Sequence, residues 1–141
     1  MKDTLNKDTA AQIKSANSVS IHARVVDFKY GMLDAVRRKY FIKSVKHIKK
    51  NVKTPIFFVF SDNIEWCKDN VNTLGLSSEK KVIFVSHNSG EDSYRDMQLM
   101  SLCKHNIVPN STFSWWGGYL NQNPNKIVCT PYATWPGTIS F

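Results

Sequence analysis

Several features that define other classes of protein are missing from this sequence of 141 residues. The three cysteines, Cys67, Cys103 and Cys129, form no C-x-x-C pair, which argues against a disulfide scaffold and a zinc site and predicts a reducing compartment. The amino-terminal segment has no apolar signal core, and no apolar run approaches the length of a membrane span. We therefore expect a cytoplasmic protein, with a peripheral position at the inner face of the membrane as an alternative.

The common phosphate-binding and metal-binding motifs are also missing. The chain has no G-x-G-x-x-G, no G-x-x-x-x-G-K-[ST] and no D-x-D pair, and its four histidines lack the spacing of metal ligands. These absences argue against P-loop proteins, ordinary dinucleotide-binding domains and metal-dependent sugar transferases. We predict neither a metal ion nor a cofactor.

Acidic residues are few, with 11 Asp and Glu against 19 Lys and Arg, so the net charge is +8. This excess favours an anionic partner such as a nucleotide, a phosphorylated sugar, nucleic acid or an anionic membrane. Much of it lies in residues 37–53, where a solvated helix face is the first interpretation and docking to an acidic surface the second. A nucleic-acid-binding domain ranks last, because only Tyr40 and Phe41 accompany these lysines as aromatic residues that could stack bases.

From Val19 onward, short apolar runs alternate with longer helical segments. This alternation is typical of a parallel sheet covered by helices on both faces. We predict one α/β domain, a Rossmann-like doubly wound parallel sheet of about five strands, over residues 18–141. The predicted strands are 19–23, 56–60, 81–85, 106–108 and 126–130, and the predicted helices are 37–51, 64–71, 94–104 and 113–121.

Two local features complete this prediction. Residues 1–17 lie outside the alternation and are interpreted as a leading helix or the remnant of a linker. Helix starts are predicted from Ser61 and Asp62, and from the capping-box spacing of Ser93 and Asp96.

In a doubly wound sheet, ligands bind beyond the carboxyl ends of the strands. Arg24 follows the first predicted strand and suits a diphosphate, because its planar guanidinium matches two oxygens and stays charged. An ion pair between Arg24 and Asp27 explains the same segment equally well. The candidate residues at this edge are His22, Arg24 and Asp27 after the first strand, Ser61 and Asp62 after the second, Ser86, His87 and Asn88 after the third, and Asn110, Ser111, Thr112 and Ser114 after the fourth.

The turn after the fourth predicted strand is rich in hydrogen-bond donors. A helix start presents unpaired N–H groups and the positive end of the helix dipole, to which Ser, Thr and Asn side chains add donors. Asn110 or Ser111 alone would suffice as an N-cap, so the group of three hydroxyls and an amide favours anion binding over capping.

Trp115 and Trp116 follow this turn, and Gly117 and Gly118 come next. The glycines indicate a helix that packs tightly against a sheet. For both tryptophans, core packing is the first interpretation and base stacking the second.

The chain carries three segments in a characteristic order: HARVVDF, then FFVFSDN followed by Trp66, then DMQLMSLCKHNIVPNSTFSWWGGYLN. In these segments it strongly resembles the α-1,2-fucosyltransferases of glycosyltransferase family 11, over about residues 18–131. The resemblance implies that residues 18–141 are the GDP-fucose-binding half of a GT-B type enzyme. It further implies metal-independent, inverting transfer of L-fucose from GDP-fucose to a hydroxyl of a galactoside acceptor, with no nucleic-acid partner.

The resemblance also implies roles for individual residues. Arg24 matches an arginine expected to hold the diphosphate, and Asp27 is the candidate general base, with a base on another lobe as the alternative. Asp62 is expected to contact the guanine edge. The other residues expected to bind substrate are His22, Asn110, Ser111, Thr112 and Ser114.

The sequence departs from the family pattern in two respects. Val25, Val26 and Phe28 stand where the family's first motif has arginine, glycine and tyrosine, so one cationic donor is lost. The family also has another lobe ahead of this region, expected to bind the acceptor. We therefore expect a donor-binding half, and the alternative function is a non-catalytic GDP-sugar-binding module or partner subunit.

Overall fold

A computed structural model describes residues 2–24, 35–79, 81–88, 90–109, 112–131 and 138–140. In these ranges, six strands form one sheet in which every paired neighbour is parallel. The strands are β1 (Ser18–Ala23), β2 (Ile56–Ser61), β3 (Val82–Phe84), β4 (His105–Ile107), β5 (Val128–Thr130) and β6 (Ile139–Ser140). The helices are α1 (Lys2–Lys14), α2 (Ala35–Asn51), α3 (Ile64–Asp69), α4 (Tyr94–Leu102) and α5 (Thr112–Leu120), with a 3₁₀ turn at Gly90–Asp92.

The strand order is β3-β2-β1-β4-β5-β6, which is the doubly wound order of the Rossmann fold. In the register of the sheet, Ala23 of β1 lies beside Ser61 of β2, and Ile21 lies beside Ile107 of β4. The carboxyl ends of the three central strands therefore meet at one edge. The chain reverses its direction of winding between β1 and β4.

Side chains of the central strands alternate between two apolar layers, as the pleat of a strand requires. Phe57 and Val59 pack with residues of α2 and α3, whereas Phe58 and Phe60 pack with residues of α1 and α4. Both faces of the sheet are thus covered. This explains why β2 reads as a continuous apolar run and not as an alternating one.

The predicted α/β fold is confirmed, and the five predicted strands and four predicted helices all occur with small shifts of their ends. The short strand β6 is additional. Two predicted helix starts differ in detail. At the start of α4, the side chain of Ser93 makes no capping hydrogen bond, so the predicted capping box is wrong. Helix α3 is capped by Asn63, whose side chain accepts a hydrogen bond from the N–H of Trp66 at 3.1 Å.

Helix α2 presents a basic face to solvent. Tyr40 and Phe41 point inward and are both buried, and the Tyr40 hydroxyl lies 2.6 Å from the carbonyl of Val108 and 2.7 Å from that of Cys129. The two rings are therefore not available to stack bases. The exposed lysines of this helix are Lys39, Lys43, Lys46, Lys49 and Lys50.

The amino-terminal helix α1 packs against α4, where Ile13 is fully buried beside Phe58 and Phe60. The predicted leading helix is therefore present and contributes to the core, while the domain boundary after residue 17 stays a prediction. The three cysteines are free, and the structure shows that all three are buried. Within the described ranges, none of the helices has the length and apolar character needed to span a bilayer.

Candidate functional site

The candidate site lies at the carboxyl edge of the sheet, between β1 and β4. Because β2 and β4 flank β1 on opposite sides, this point is the switch point of the sheet, and the helices α2 and α5 that follow β1 and β4 lie on opposite faces. His22 and Ala23 end β1, and α5 begins at Thr112, shortly after β4 ends. The first and last motif segments of the sequence therefore arrive at the same place.

His22 and Ser114 are in direct contact at this point, although they lie 92 positions apart in the chain. Nδ1 of the imidazole forms a hydrogen bond with the Ser114 hydroxyl. His22 lies beside Phe60 in the sheet register, so its side chain points to the face covered by α4. Helix α5 packs against α4 on that face, and its third residue is Ser114.

The pair lies in the interior of the protein. His22 is 9% exposed and Ser114 is fully buried. Burial lowers the pKa of His22 to about 4, the nearby carboxylate of Asp62 opposes this shift, and the guanidinium of Arg24 adds to it. The imidazole is therefore neutral at neutral pH, and Asp62 and Arg24 are close enough for their charges to act on it.

The end of β2 is tied to the end of β1 by Ser61. Its hydroxyl donates to the carbonyl of Ala23 at 2.7 Å and accepts from the N–H of Asn63 at 3.0 Å. Asp62 is exposed between these two anchored positions. The sequence placed Ser61 at this edge and among the helix-start signals, and the structure shows that it also links the ends of the two strands that precede Arg24 and Asp62.

The structure describes only some of the predicted site residues. His22, Ser114, Arg24 and Asp62 gather around the ends of β1 and β2 and the start of α5, and Arg24 is half-buried. Thr112 is the first residue of α5. The other predicted residues, Asp27, Asn110 and Ser111, lie outside the described part of the chain, as do Val25, Val26 and Phe28.

The polar residues after β3 serve another purpose. Nε2 of His87 lies 2.7 Å from Oδ1 of Asn6, and the amide of Asn88 donates to that same oxygen at 2.8 Å and to Oδ1 of Asp96 at 2.9 Å. These contacts connect α1 and α4 with the segment that follows β3. Nothing in the sequence signalled this cluster, because its members come from three separate segments.

Helix α5 packs closely at both glycines, against the sheet at Gly118, as predicted, and against helix α4 at Gly117, which the sequence did not predict. A Cβ atom at Gly117 would lie 3.1 Å from Cβ of Met100, and one at Gly118 would lie 3.0 Å from Cγ1 of Val128. The prediction of core packing is wrong for Trp116, which is 44% exposed and packs edge-on against Tyr119 with ring centroids 5.5 Å apart. The side chain of Trp115 lies outside the described residues.

Buried amide groups fix α5 relative to β4, and sequence reasoning missed them. Asn106 donates to the Ser20 hydroxyl and to the Met100 carbonyl, both at 2.8 Å, and accepts from Asn121 at 2.8 Å. An asparagine inside a short buried strand is unusual and was the available signal. Through this residue, β1, α4, β4 and the end of α5 are held together.

Two further observations concern metal binding and the position of the cavity relative to the site. Among the described residues, no group of three His, Cys, Asp or Glu side chains could hold a metal ion. A cavity of about 450 Å³ lies at the opposite edge of the sheet, lined by residues that precede the strands, such as Asn17, Thr54 and Lys104. It is therefore separate from the candidate site.

The strand order defines a Rossmann-like domain, and the polar residues described above lie at the switch point of its sheet, which is where folds of this type bind ligands. The family model for glycosyl transferase family 11 matches residues 3–136. The chain belongs to this glycosyltransferase family.

Curated relatives agree with this assignment. The chain is 37% identical to an alpha-1,2-colitosyltransferase of Escherichia coli, covering 89% of the chain and 43% of the relative. It is 32% identical to the O-antigen biosynthesis glycosyltransferase WbnK of Escherichia coli, covering 88% and 41%, and 27% identical to a galactoside alpha-(1,2)-fucosyltransferase 2 of Bos taurus, covering 72% and 30%. The chain thus spans less than half the length of these relatives.

Proposed function

We propose that this chain binds GDP-fucose and is the donor-binding part of a galactoside α-1,2-fucosyltransferase. The observation that carries the proposal is the buried contact between His22 and Ser114. It brings the segments HAR and NSTFSWW, which resemble the family's motifs, to one edge of a Rossmann-like sheet. An arginine, a carboxylate and a helix start then lie at the edge where such sheets bind nucleotides.

The proposed roles follow from the needs of a direct, inverting displacement. As the acceptor oxygen attacks the anomeric carbon, negative charge grows on the departing GDP and must be neutralised. We assign this task to Arg24, assisted by donors of the 110–114 segment. Asp62 is assigned to the guanine edge, and the acceptor's proton goes to Asp27 or to a base outside this chain.

No metal ion is needed in this scheme, because the guanidinium and the hydrogen-bond donors carry the positive charge. The net charge of +8 favours the approach of an anionic donor. We place the protein in the cytoplasm, where a position at the inner face of the membrane would bring it to a glycan acceptor.

Binding of GDP to the purified chain tests the donor assignment. Arg24→Ala should weaken GDP binding by about 2 kcal/mol, or roughly 30-fold, because a charge-assisted contact to the diphosphate is lost. Isothermal titration calorimetry measures this loss, and EDTA should leave the wild-type affinity unchanged.

Arg95→Ala is the matched control, because Arg95 pairs with Asp3 and Asp92 on the α1 and α4 side of the molecule. It should bind GDP as the wild type does. Equal affinity of the wild type and Arg24→Ala would contradict the role of Arg24, and absence of any GDP binding by the wild type would contradict the proposed function.

One relative is named for colitose, so a colitose nucleotide is the second candidate donor. A competition experiment shows which of the two nucleotide sugars the wild-type chain binds more tightly. Release of GDP in the presence of lactose then separates an enzyme from a binding module. Turnover by this chain alone would reject the non-catalytic alternative, and binding without turnover would support it.

A further inference from the structure

The hydrogen bond between His22 and Ser114 is a buried polar link on the face of the sheet that α4 and α5 cover. It joins β1 to α5, and both side chains are shielded from solvent. Burying two polar groups costs free energy unless each one finds a partner, and here each is the other's partner. A hydrogen-bonded pair of this kind restricts the position of one element relative to the other more than apolar packing does.

The hydrogen bond between His22 and Ser114 joins two uncharged groups. Among the residues that the structure describes, the charged groups that act on His22 are Asp62, just after β2, and Arg24, just after β1, while the group facing it from α5 is the hydroxyl of Ser114. The two charges act in opposite directions, so burial decides the outcome and keeps the ring uncharged. A neutral imidazole has one donor and one acceptor nitrogen, and either one can serve a hydroxyl.

Full burial of Ser114 also bears on its role. A hydroxyl without solvent exposure is placed to support a site from behind and not to meet a ligand that enters from solvent. Arg24 lies two positions after His22 and is half-buried, so a shift of the end of β1 would carry the guanidinium with it.

We propose that His22 is a positioning residue of the donor site, whose neutral imidazole holds Ser114 and the start of α5 against the end of β1. In this position Arg24 and the start of α5 face the same diphosphate. The inference rests on the proposed function and revises it in one respect: His22 and Ser114 support the site and do not contact the donor directly.

The test compares ligands with and without the diphosphate. His22→Leu should weaken GDP binding by about tenfold, because Ser114 loses its partner and the two sides of the site separate. The affinity for guanosine should not change. His22→Asn should restore most of the GDP affinity, since its amide can occupy the place of Nδ1.

His105→Leu is the control for the loss of a histidine from the sheet. Nδ1 of His105 accepts from the N–H of Ile127 at 3.0 Å, at the opposite edge of the same sheet. This variant should lose stability but keep its affinity for GDP. If His22→Leu and His105→Leu bind GDP equally well, the positioning role is overturned.

A second measurement uses the wild-type chain alone. The affinity for GDP-fucose, whose diphosphate is esterified at both ends, should be constant between about pH 5 and 8, where an ordinary histidine titrates. A loss of affinity as the pH rises through this range, absent from His22→Asn, would show that a charged His22 grips the diphosphate, and it would overturn the inference.

The last part of the test measures the energetic coupling between His22 and Ser114 with a double-mutant cycle. Ser114→Ala should weaken GDP binding as His22→Leu does, and the double variant should lose little more than either single variant. Additive losses would overturn the inference. Failure of the wild type to bind GDP would instead refute the proposed function, so the two failures are distinct.

Discussion

At the scale of single residues, burial decides the protonation of several groups. Asp96 stands in the first turn of α4 but is only 7% exposed, and the side chain of Asn88 donates to it. Burial raises the pKa of Asp96 to about 6, which the hydrogen bond from Asn88 only partly offsets. A residue that looks like a helix cap in the sequence is therefore a buried acid.

This raised pKa predicts a dependence of stability on pH. The contribution of Asp96 is fully present below its ordinary pKa of about 3.8 and is lost as the pH rises through its folded value of about 6. Asp96→Asn should therefore be more stable than the wild type at pH 7, by about 1–3 kcal/mol, and the difference should shrink toward pH 4. Urea denaturation at several pH values measures it.

The exposed Asp69 provides the control for this prediction. Asp69→Asn should follow the wild type at every pH. A stability difference for Asp96→Asn that stays constant across the range would show that the carboxyl of Asp96 has an ordinary pKa.

At the scale of elements, the position at which α5 begins depends on how closely this helix packs against its neighbours. Gly117 lies against Met100 of α4, and Gly118 lies against Val128 of β5. The sequence predicted this close packing from the two glycines. It could not predict which elements approach, because that depends on the order of strands in the sheet.

Gly118→Ala should destabilise the protein although alanine favours helix. The new methyl would meet Cγ1 of Val128 at 3.0 Å, and the cost of overpacking, about 1–3 kcal/mol, exceeds the gain in helix propensity of about 1 kcal/mol. Thermal or urea denaturation measures the loss.

Val128→Ala removes the opposing methyl and gives the second variant of a double-mutant cycle. The double variant should be more stable than the sum of the two single effects predicts. Purely additive effects would mean that Gly118 has room for a side chain.

At the scale of the whole molecule, the sheet depends on a helix that lies outside the strand–helix alternation. Helix α1 buries Ile13 in the layer that also holds Phe58, Phe60 and Met100. It also reaches the segment after β3 through Asn6. We therefore expect the folding unit to extend across the predicted boundary after residue 17.

Removal of residues 1–17 tests this extension. The shortened chain should lose several kcal/mol of unfolding free energy, since Ile13→Ala alone should cost about 2–5 kcal/mol. Thr9→Val, at a buried position of the same helix, should cost less because it keeps a side chain of similar size. Unchanged stability of the shortened chain would make 1–17 a dispensable linker.

The sequence by itself determined the class of fold, the elements and the family, because apolar periodicity, glycine positions and local motifs are properties of neighbouring residues. It also identified His22, Arg24, Asp62 and Ser114 as residues at one edge, because parallel strands end together. Only the tertiary structure decided that His22 contacts Ser114, that Trp116 faces solvent, that Asp96 is buried and that α1 completes the core. These facts depend on which strands and helices are neighbours in space, and contacts between residues far apart in the chain set that arrangement.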